Sequence, residues 1–355
     1  MKIVIATGGS GGHIYPALSL ARALKERGHE LTFIGSLDRM EKDVVPDAGF
    51  KFIGLDIKTT RGGPLQKVKS LISIYSAYRR CLRLLNGQDL VIGFGNYISV
   101  PVVLAAKKLK IKTMIHEQNS FVGRANRMLD KKVDLIIVSY KESLKQFKNP
   151  NIVVLGNPQS SVALSVKEDR SILGDLGLDL DKKTVLMFLG SLGSESVQKV
   201  FLEYFDMLDG SEDYQIVYAT GDKHYEAAKD YDSKMIKIVK RVDGAKMMKV
   251  SDLLISRAGA TTLAEITALG TPSILIPSPY VPNDHQYYNA MALADHDAAI
   301  VIKEKDLDAR RLKDMIEETL ADKNKLDSLH DNARALSNDH CLEDIVERIE
   351  ELWKR

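Results

Sequence analysis

"KIVIATGGSGGHIYPALSLARALKERGH", residues 2–29, contains a short apolar run, a glycine cluster and an amphipathic helical pattern, in that order. The run KIVIA (2–6) has the length and composition of a buried strand. The segment 16–27 places its apolar residues on one helical face, and Gly28 is a typical helix stop. A strand, a glycine-rich turn and a helix open many nucleotide-binding domains. The stretch therefore predicts an α/β fold that begins with this unit.

The same alternation continues along the chain. Seven strand-length apolar runs occupy the first half: KIVIA (2–6), LTFIG (31–35), FKFIGL (50–55), LVIGF (90–94), KTMIHE (112–117), LIIVS (135–139) and IVVLG (152–156). After a polar segment, six more follow: TVLMFLG (184–190), QIVYAT (215–220), IKIVK (236–240), LLIS (253–256), SILIP (273–277) and AAIVI (298–302). Strands that alternate with helices form parallel sheets covered on both faces. We predict two doubly wound, Rossmann-like α/β domains that face a cleft. The first comprises 1–157 with a C-terminal helix at about 338–355 that crosses back; the second comprises 158–337.

Composition narrows the function classes. The chain has 355 residues, of which 45% are hydrophobic and 28% charged, and its net charge is +2. This balance is typical of a soluble protein and does not suggest a nucleic-acid partner. Cys81 and Cys341 have no metal-like spacing, so we expect reduced thiols. We find no signal peptide before the first strand and no apolar run of membrane-span length, which favours a cytoplasmic protein.

Three glycine-containing loops each follow a predicted strand and precede a predicted helix: TGGSGGH (7–13), LGSLGS (189–194) and SRAGATTLAE (256–265). Exposed N–H groups at such helix starts attract anions. The first loop lacks the GK[ST] ending of a Walker loop, and Ile14 occupies the last glycine position of the dinucleotide pattern. A dehydrogenase is therefore disfavoured. Because ligands of open α/β sheets bind at the carboxyl ends of the strands, we expect a ligand site on each domain.

Two titratable residues in these loops each allow two interpretations. His13 is either a core histidine in a tight turn or an acid–base group beside an anion site. Glu265 is either a carboxylate that favours the helix dipole or a partner for ribose hydroxyls. Further along, PSPYVPNDHQYYNA (277–290) runs into a helix that carries amide side chains, which suit sugar hydroxyls because they donate and accept hydrogen bonds.

The chain contains, in this order, TGGSGGHIYPALSLA, HEQN (116–119), GNP (156–158), GSLGS, SRAGATTLAEI and NDHQYYNA. In these motifs it resembles the MurG family of bacterial N-acetylglucosaminyltransferases, which convert lipid I to lipid II in peptidoglycan synthesis. The resemblance covers nearly the whole chain. It implies a glycosyltransferase B fold with UDP-N-acetylglucosamine held by the second domain. It implies that the first domain binds the acceptor, an undecaprenyl-linked muramyl pentapeptide, and contacts an anionic membrane surface. The implied reaction is an inverting transfer to the 4-hydroxyl of the muramyl sugar. The enzyme would lie peripherally on the cytoplasmic face of the cell membrane and require no cofactor, with Mg²⁺ dependence left open.

The resemblance also implies roles for individual residues. His13 is the candidate general base. The acceptor side comprises Gly11 and Gly12, which form a diphosphate loop, with Tyr97, Asn119 and Asn126. The donor side comprises Ser191, Arg257, Ala260, Thr261, Thr262, Glu265, His285, Gln286 and Asn289. No metal ligand is implied.

The sequence departs from the family pattern at several positions. Gln159 and Ser160 follow GNP, where many members have an apolar residue and arginine. KRVDGAK (240–246) replaces a Phe-Ile-Asp-Asp stretch, so we assign uracil recognition to the backbone near Arg241. His285 stands where some members have glutamine. Two alternatives stay open, a transferase that glycosylates diacylglycerol and a nucleotide-sugar-binding subunit that needs a partner for chemistry.

The segment 57–88 is free of acidic residues but contains seven basic ones: Lys58, Arg61, Lys67, Lys69, Arg79, Arg80 and Arg83. Its apolar residues Val68, Leu71, Tyr75, Tyr78, Leu82 and Leu85 form one helical face. We expect most of that face to pack on the first domain's sheet. Leu65, Ile72 and Ile74 fall outside it. Together with the cations they predict a surface that docks on an anionic membrane.

Overall fold

The computed structural model describes residues 1–57, 64–190 and 193–354. The chain divides into two compact units, Met1–Gln159 with His340–Arg355, and Ser160–Asp339. The breaks thus follow residues 159 and 339, against predicted breaks after residues 157 and 337.

Helices and strands alternate through both units. The strands are β1 (Lys2–Ala6), β2 (Glu30–Ser36), β3 (Lys51–Leu55), β4 (Leu90–Gly93), β5 (Lys112–Glu117), β6 (Leu135–Val138), β7 (Ile152–Val154), β8 (Lys183–Phe188), β9 (Tyr214–Ala219), β10 (Ile236–Val239), β11 (Leu253–Ser256), β12 (Ser273–Leu275) and β13 (Ile300–Val301). The helices are α1 (Gly11–Glu26), α2 (Glu41–Asp47), α3 (Pro64–Leu84), α4 (Asn96–Lys108), α5 (Arg124–Leu129), α6 (Gln159–Leu164), α7 (Ser171–Asp175), α8 (Glu195–Phe205), α9 (Tyr225–Ala228), α10 (Gly244–Val250), α11 (Ala260–Leu269), α12 (His285–Ala294), α13 (Ala309–Ala321), α14 (Lys323–Ala335) and α15 (Cys341–Lys354). Short 3₁₀ helices lie at Asp130–Lys132, Lys141–Gln146, Lys229–Tyr231, Pro282–Asp284 and Glu304–Asp306.

Each unit contains one parallel sheet. The first has the strand order β3-β2-β1-β4-β5-β6-β7, and the second has the order β10-β9-β8-β11-β12-β13. Successive residues of a strand point to opposite faces, and in β1 Ile3 and Ile5 join a core different from that of Val4 and Ala6. Helices α1 and α15 cover the first of these faces, and α3 and α4 cover the other. The predicted pair of doubly wound α/β domains is confirmed.

Helix α1 begins earlier than predicted. It starts at Gly11, after Ser10 in an extended conformation, so Pro16 lies inside the helix and not at its first position. The predicted stop is confirmed, because Gly28 adopts a φ of +82° and its N–H donates to the carbonyl of Lys25 at 2.9 Å. Gly11, Gly12 and His13 therefore form the first turn of the helix.

The apolar face predicted for α3 is only half buried. Ala77, Cys81 and Leu85 lie in the core, and Tyr78 and Leu82 pack against it. Ile74 also packs against this core, so its predicted place on the docking surface was wrong. By contrast, Val68, Leu71, Ile72 and Tyr75 are 54%, 66%, 63% and 61% exposed. The expectation that most of the predicted face packs on the sheet was therefore wrong, because only Tyr78, Leu82 and Leu85 of its six residues do so. A 21-residue helix is about 30 Å long, whereas a five-residue strand spans about 17 Å, so the first half of α3 reaches past the strands it covers. The side chains of Leu65 and Lys67 lie outside the described residues, as do Lys58 and Arg61.

In the described part of the chain, no helix is both long and apolar enough to cross a membrane.

Candidate active site

The turn between β1 and α1 is held by a buried carboxylate. The N–H groups of Gly9 and Ser36 donate to the two oxygens of Glu41 at 3.1 and 2.9 Å, and Glu41 is fully buried. A Cβ at Gly8 would lie 2.2 Å from Oε1 of Glu41, so position 8 requires glycine. Sequence reasoning missed Glu41, because a single acid at a helix start carries no signal for a contact with a loop 32 residues away.

His13, in the first turn of α1, contacts the side-chain amide of Gln118, the residue that follows β5. Its Nδ1 lies 3.1 Å from Oε1 of the buried Gln118. The amide nitrogen of Gln118 donates to the carbonyls of Phe94 and His116, at 3.5 and 3.4 Å. These two acceptors turn the amide so that its oxygen faces His13. Nδ1 of His13 therefore donates, and Nε2 is the basic nitrogen of the ring.

The HEQN motif supplies more of the site than the one residue predicted from it. Glu117, which is buried, accepts from the N–H and the amide of Asn119, both at 3.1 Å, and from the N–H of Gly123 at 2.9 Å. The amide nitrogen of Asn126 donates to Glu117 at 2.9 Å and to the carbonyl of His116 at 3.0 Å. The structure thus brings Asn119 and Asn126 together through one carboxylate, and Asn126 is buried.

His116 connects this network to the end of the first unit. Its Nε2 lies 3.0 Å from the carbonyl of Gly156, and its ring stacks on Phe94 with 5.2 Å between centroids. Burial lowers the pKa of His116 to about 4, so the ring is neutral near pH 7 and Nε2 donates. His116 is therefore a structural residue that fixes the GNP segment.

The loop after β4 is tied to the first glycine loop. Gly95 and Asn96 have φ angles of +74° and +67°, and the Asn96 amide donates to the carbonyl of Gly8. A Cβ at Gly95 would lie 3.4 Å from Cε1 of His13, so the loop backbone approaches the His13 ring closely. Tyr97 follows at the start of α4, half-buried against the core. Because β1, β4 and β5 are adjacent, the predicted acceptor residues gather at one carboxyl edge.

In the second unit, the Arg257 side chain forms hydrogen bonds with three separate segments of the chain. Its guanidinium donates to the carbonyl of Ile276 at 3.0 Å, to the hydroxyl of Ser194 at 2.6 Å and to Glu304 at 2.6 Å. Arg257 and Glu304 are both nearly buried. Arg257 therefore supports the loops at this edge, and Glu304 is a partner that sequence reasoning missed.

The start of α11 is open to an anion. Gly259 precedes Ala260 in an extended conformation and makes no side-chain cap, and the first turn of this helix contains no acidic residue. The Thr261 hydroxyl is buried and has no hydrogen-bond partner among the described residues. Thr262 and, one turn later, Glu265 are half-buried. N–H groups that no side chain caps are the arrangement expected for a phosphate site.

The segment 277–290 bends sharply before α12. Asn283 and Asp284 both adopt left-handed φ angles, of +58° and +53°. The Gln286 side chain accepts from the N–H of Ser278 at 2.9 Å, and Nδ1 of His285 lies 2.9 Å from the carbonyl of Pro282. Asn289 is fully buried, and its amide donates to the carbonyl of Ala258 at 3.3 Å. Asn289 thus contacts the loop that precedes α11.

An open pocket lies after β9 and β10. It is lined by Asp222, Tyr225, Ile238, Val239, Lys240 and Arg241. Lys240 lies over the Tyr225 ring, 4.9 Å from its centroid, and Arg241 pairs with Asp222. The predicted uracil contact near Arg241 falls in this pocket. Ser191 lies outside the described residues.

Among the residues that the structure describes, no group of three or more histidine, cysteine or acidic side chains could hold a metal ion. That the enzyme requires no cofactor stays a prediction.

The sequence matches two family models, the glycosyltransferase family 28 N-terminal domain over residues 3–138 and the C-terminal domain over residues 184–349. Curated relatives named UDP-N-acetylglucosamine–N-acetylmuramyl-(pentapeptide) pyrophosphoryl-undecaprenol N-acetylglucosamine transferase include those of Halalkalibacterium halodurans, 39% identical, and Bacillus subtilis, 36% identical. Both alignments cover 100% of each chain. Among solved structures, Acinetobacter baumannii MurG superposes with a TM-score of 0.78 at 26% identity, covering 98% of this chain and 99% of that one.

Proposed function

Because the chain belongs to the MurG family of N-acetylglucosaminyltransferases, we propose that it transfers N-acetylglucosamine from its UDP carrier to lipid I, which yields lipid II. The observation that carries this conclusion is the match to curated transferases along the whole chain. The chain is accordingly a UDP-N-acetylglucosamine-dependent hexosyltransferase of peptidoglycan synthesis.

We assign the donor to the second unit. The open start of α11, at Ala260–Thr262, supports a diphosphate site, since N–H groups and the helix dipole stabilise negative charge. Glu265 lies one turn further, where a carboxylate can accept from ribose hydroxyls. The pocket near Arg241 has the aromatic and polar lining that suits uracil. Stabilising the diphosphate also stabilises the leaving UDP.

We assign the acceptor to the first unit, with Gly11 and Gly12 at its diphosphate and His13 as general base. The 4-hydroxyl oxygen of the muramyl sugar attacks the anomeric carbon of N-acetylglucosamine, and the bond to UDP breaks on the opposite face, which inverts the configuration. Nε2 of His13 takes the hydroxyl proton. The contact with Gln118 supports this role, because it keeps the proton of the neutral ring on Nδ1.

The proposal is tested by UDP release from UDP-N-acetylglucosamine, with and without a short-chain lipid I analogue. The purified chain should release UDP only when the analogue is present, and UDP-glucose should be a poor donor. Preference for diacylglycerol as acceptor would favour the glycolipid transferase. Donor binding without turnover would favour the nucleotide-sugar-binding subunit. An added chelator shows whether Mg²⁺ contributes.

We further propose that the enzyme docks peripherally on the cytoplasmic face of the cell membrane through the first half of α3. Four apolar side chains are exposed there, Val68, Leu71, Ile72 and Tyr75. An apolar patch of this kind on a solvent-exposed surface is typical of an interaction site. Lys69 and Arg79 are exposed on the same helix, and each cation near an anionic leaflet contributes about 1 kcal/mol. Arg80 contributes less, because its guanidinium donates to the carbonyl of Gly54 at 3.1 Å.

Vesicle binding tests this proposal. The parent chain should sediment with anionic vesicles and less with neutral ones. A Leu71→Ser, Ile72→Ser variant should lose binding at every salt concentration, whereas Lys69→Gln, Arg79→Gln should lose mainly the salt-sensitive part. Leu180→Ser, at a similarly exposed position of the second unit, is the control. Activity on a short, water-soluble acceptor should be largely spared; an equal loss on both acceptors would instead assign α3 to the acceptor site or the fold.

A further inference from the structure

Glu41, the first residue of α2, connects the loop after β1 to the end of β2. Its carboxylate accepts from the N–H of Gly9 at 3.1 Å and from the N–H of Ser36 at 2.9 Å. The side chain is fully buried. A Cβ at Gly8 would lie 2.2 Å from its Oε1, and a Cβ at Gly35 would lie 2.7 Å from its Cγ. Both segments therefore make room for this one side chain.

The peptide group between Gly8 and Gly9 is held at both of its polar ends. Its N–H donates to Glu41, and its carbonyl accepts from the side-chain amide of Asn96. Gly9 has a φ of +95°, in a region where a glycine backbone turns easily between conformations. The two contacts fix the orientation of this peptide, and the N–H of Gly9 is occupied by Glu41.

The N–H groups of Gly11 and Gly12 are the ones that this turn presents to an anion. The N–H groups of His13 and Ile14 donate to the carbonyl of Ser10, at 3.0 and 3.2 Å, so the hydrogen bonds of α1 begin at His13. The Ser10 side chain makes no cap. N–H groups that precede the first helical hydrogen bond bind anions well. Their direction depends on the turn that leads into the helix.

The charge of Glu41 has the opposite effect to its position. Two backbone donors converge on the side chain, and a carboxylate can accept from both because each oxygen carries free lone pairs. A negative charge in this turn, however, repels an anion bound at the start of α1. Glu41 can therefore favour an anion only through the conformation that it gives to the loop.

We infer that Glu41 is a positioning residue for the acceptor diphosphate. It fixes the Gly8–Gly9 peptide, and the N–H groups of Gly11 and Gly12 are thereby directed at the phosphate oxygens. Glu41 is buried and does not touch the substrate. The inference rests on the proposed function for the identity of the acceptor.

Steady-state kinetics with a short-chain lipid I analogue at saturating UDP-N-acetylglucosamine test this inference. Glu41→Gln removes the charge and turns an NH₂ group toward one of the two N–H groups. Glu41→Asp keeps the charge but is one methylene shorter. Both variants should lower kcat/KM for the analogue by about tenfold or more, with the donor KM unchanged. An effect of charge alone would instead raise kcat/KM in Glu41→Gln and leave it unchanged in Glu41→Asp.

Asp134→Asn is the matched control. Asp134 also joins two neighbouring strands, since it directly precedes β6 and accepts from the N–H of Thr113 in β5 at 2.8 Å. These contacts lie at the starts of the strands, at the edge of the sheet opposite to the site. Asp134→Asn should lower the thermal stability and leave kcat/KM for the analogue unchanged.

Two kinetic results overturn the inference. One is a folded Glu41→Gln protein whose kcat/KM for the analogue is unchanged or higher. The other is an equal loss for the analogue and for the donor, because it assigns Glu41 to the stability of the whole unit. A parent chain that does not turn over the analogue refutes the proposed function itself.

If the Glu41 variants do not fold, amide hydrogen exchange in the parent chain decides. The N–H of Gly9 should be protected with and without the analogue, because it stays on Glu41. The N–H groups of Gly11 and Gly12 should become protected only when the analogue is bound. Rapid exchange at Gly9 in the free protein, or no added protection at Gly11 and Gly12 in the complex, overturns the inference.

Discussion

Changing Gln118 to glutamate should raise the pKa of His13 and move the activity of the enzyme to higher pH. The substitution puts a carboxylate where an amide oxygen now lies 3.1 Å from Nδ1 of His13. At an effective dielectric constant of about 20, charges at this separation attract by about 5 kcal/mol. Gln118 is fully buried, so desolvation of the new carboxylate offsets part of this energy. We expect the pKa of His13 to rise by about 1–3 overall.

The change matters because a general base must be neutral to accept a proton. Below the raised pKa, the neutral fraction of the imidazole falls by up to about tenfold per pH unit. At neutral pH, kcat/KM of Gln118→Glu should therefore fall by about tenfold to hundredfold and recover under alkaline conditions. UDP release with a short-chain acceptor, measured from about pH 5 to about pH 10, records the profile.

Gln118→Leu is the matched control. It removes the acceptor for Nδ1 without adding charge, so activity should fall at every pH with no displaced acidic limb. A Gln118→Glu profile that superimposes on that of the parent would refute the reasoning. A uniform loss across the pH range would do so as well, because it would make Gln118 important only for the shape of the site. Thermal unfolding of each variant separates these outcomes from misfolding.

Three further predictions concern single residues. His13→Ala should fold normally and lose about a hundredfold or more of its turnover; retained activity with an unaltered pH profile would mean that His13 is not the base. Glu265→Ala should lower kcat/KM for UDP-N-acetylglucosamine by about tenfold, and unchanged donor kinetics would remove Glu265 from the site. The third concerns acid stability, since the pKa of His116 is lowered to about 4. Between about pH 6.5 and that value the unfolded chain binds a proton that the folded chain does not, so the free energy of unfolding should fall by up to about 3 kcal/mol. Urea unfolding of His116→Phe should show a weaker pH dependence over this range, and an equal slope in both proteins would contradict the assignment.

The fold could be predicted from the sequence because buried parallel strands are continuously apolar. Each of the apolar runs from KIVIA to AAIVI contains a strand of the structure. The start of α1 could not be predicted, since Pro16 is typical of a first helical position while Gly11 and Gly12 are poor helix formers. The helix nevertheless begins at Gly11, directly after the turn that Glu41 holds in place through the N–H of Gly9.

The site was predictable only as a set of loops. Motif positions place His13, Tyr97 and Asn119 at one sheet edge, but the contact between His13 and Gln118 joins residues 105 positions apart. Its existence depends on the direction of two side chains, which spacing does not determine. Spacing likewise did not determine the direction of the Asn289 side chain. The sequence predicted a contact with the sugar, but Asn289 is completely buried. On α3, periodicity predicted the apolar face but not where the covering sheet ends.

The position of α15 has a consequence for synthesis on the ribosome. Cys341, Ile345, Ile349 and Leu352 are core residues of the first unit, yet they are translated after the whole of the second unit. The residues of the second unit, 160–339, are contiguous and can complete their own core as soon as they emerge. The first unit must wait, with the sheet face under α1 only partly covered, until α15 is released. The order in which the two units reach their final state is thus the reverse of the order in which they begin to be made, and the nascent chain exposes apolar surface for most of that time.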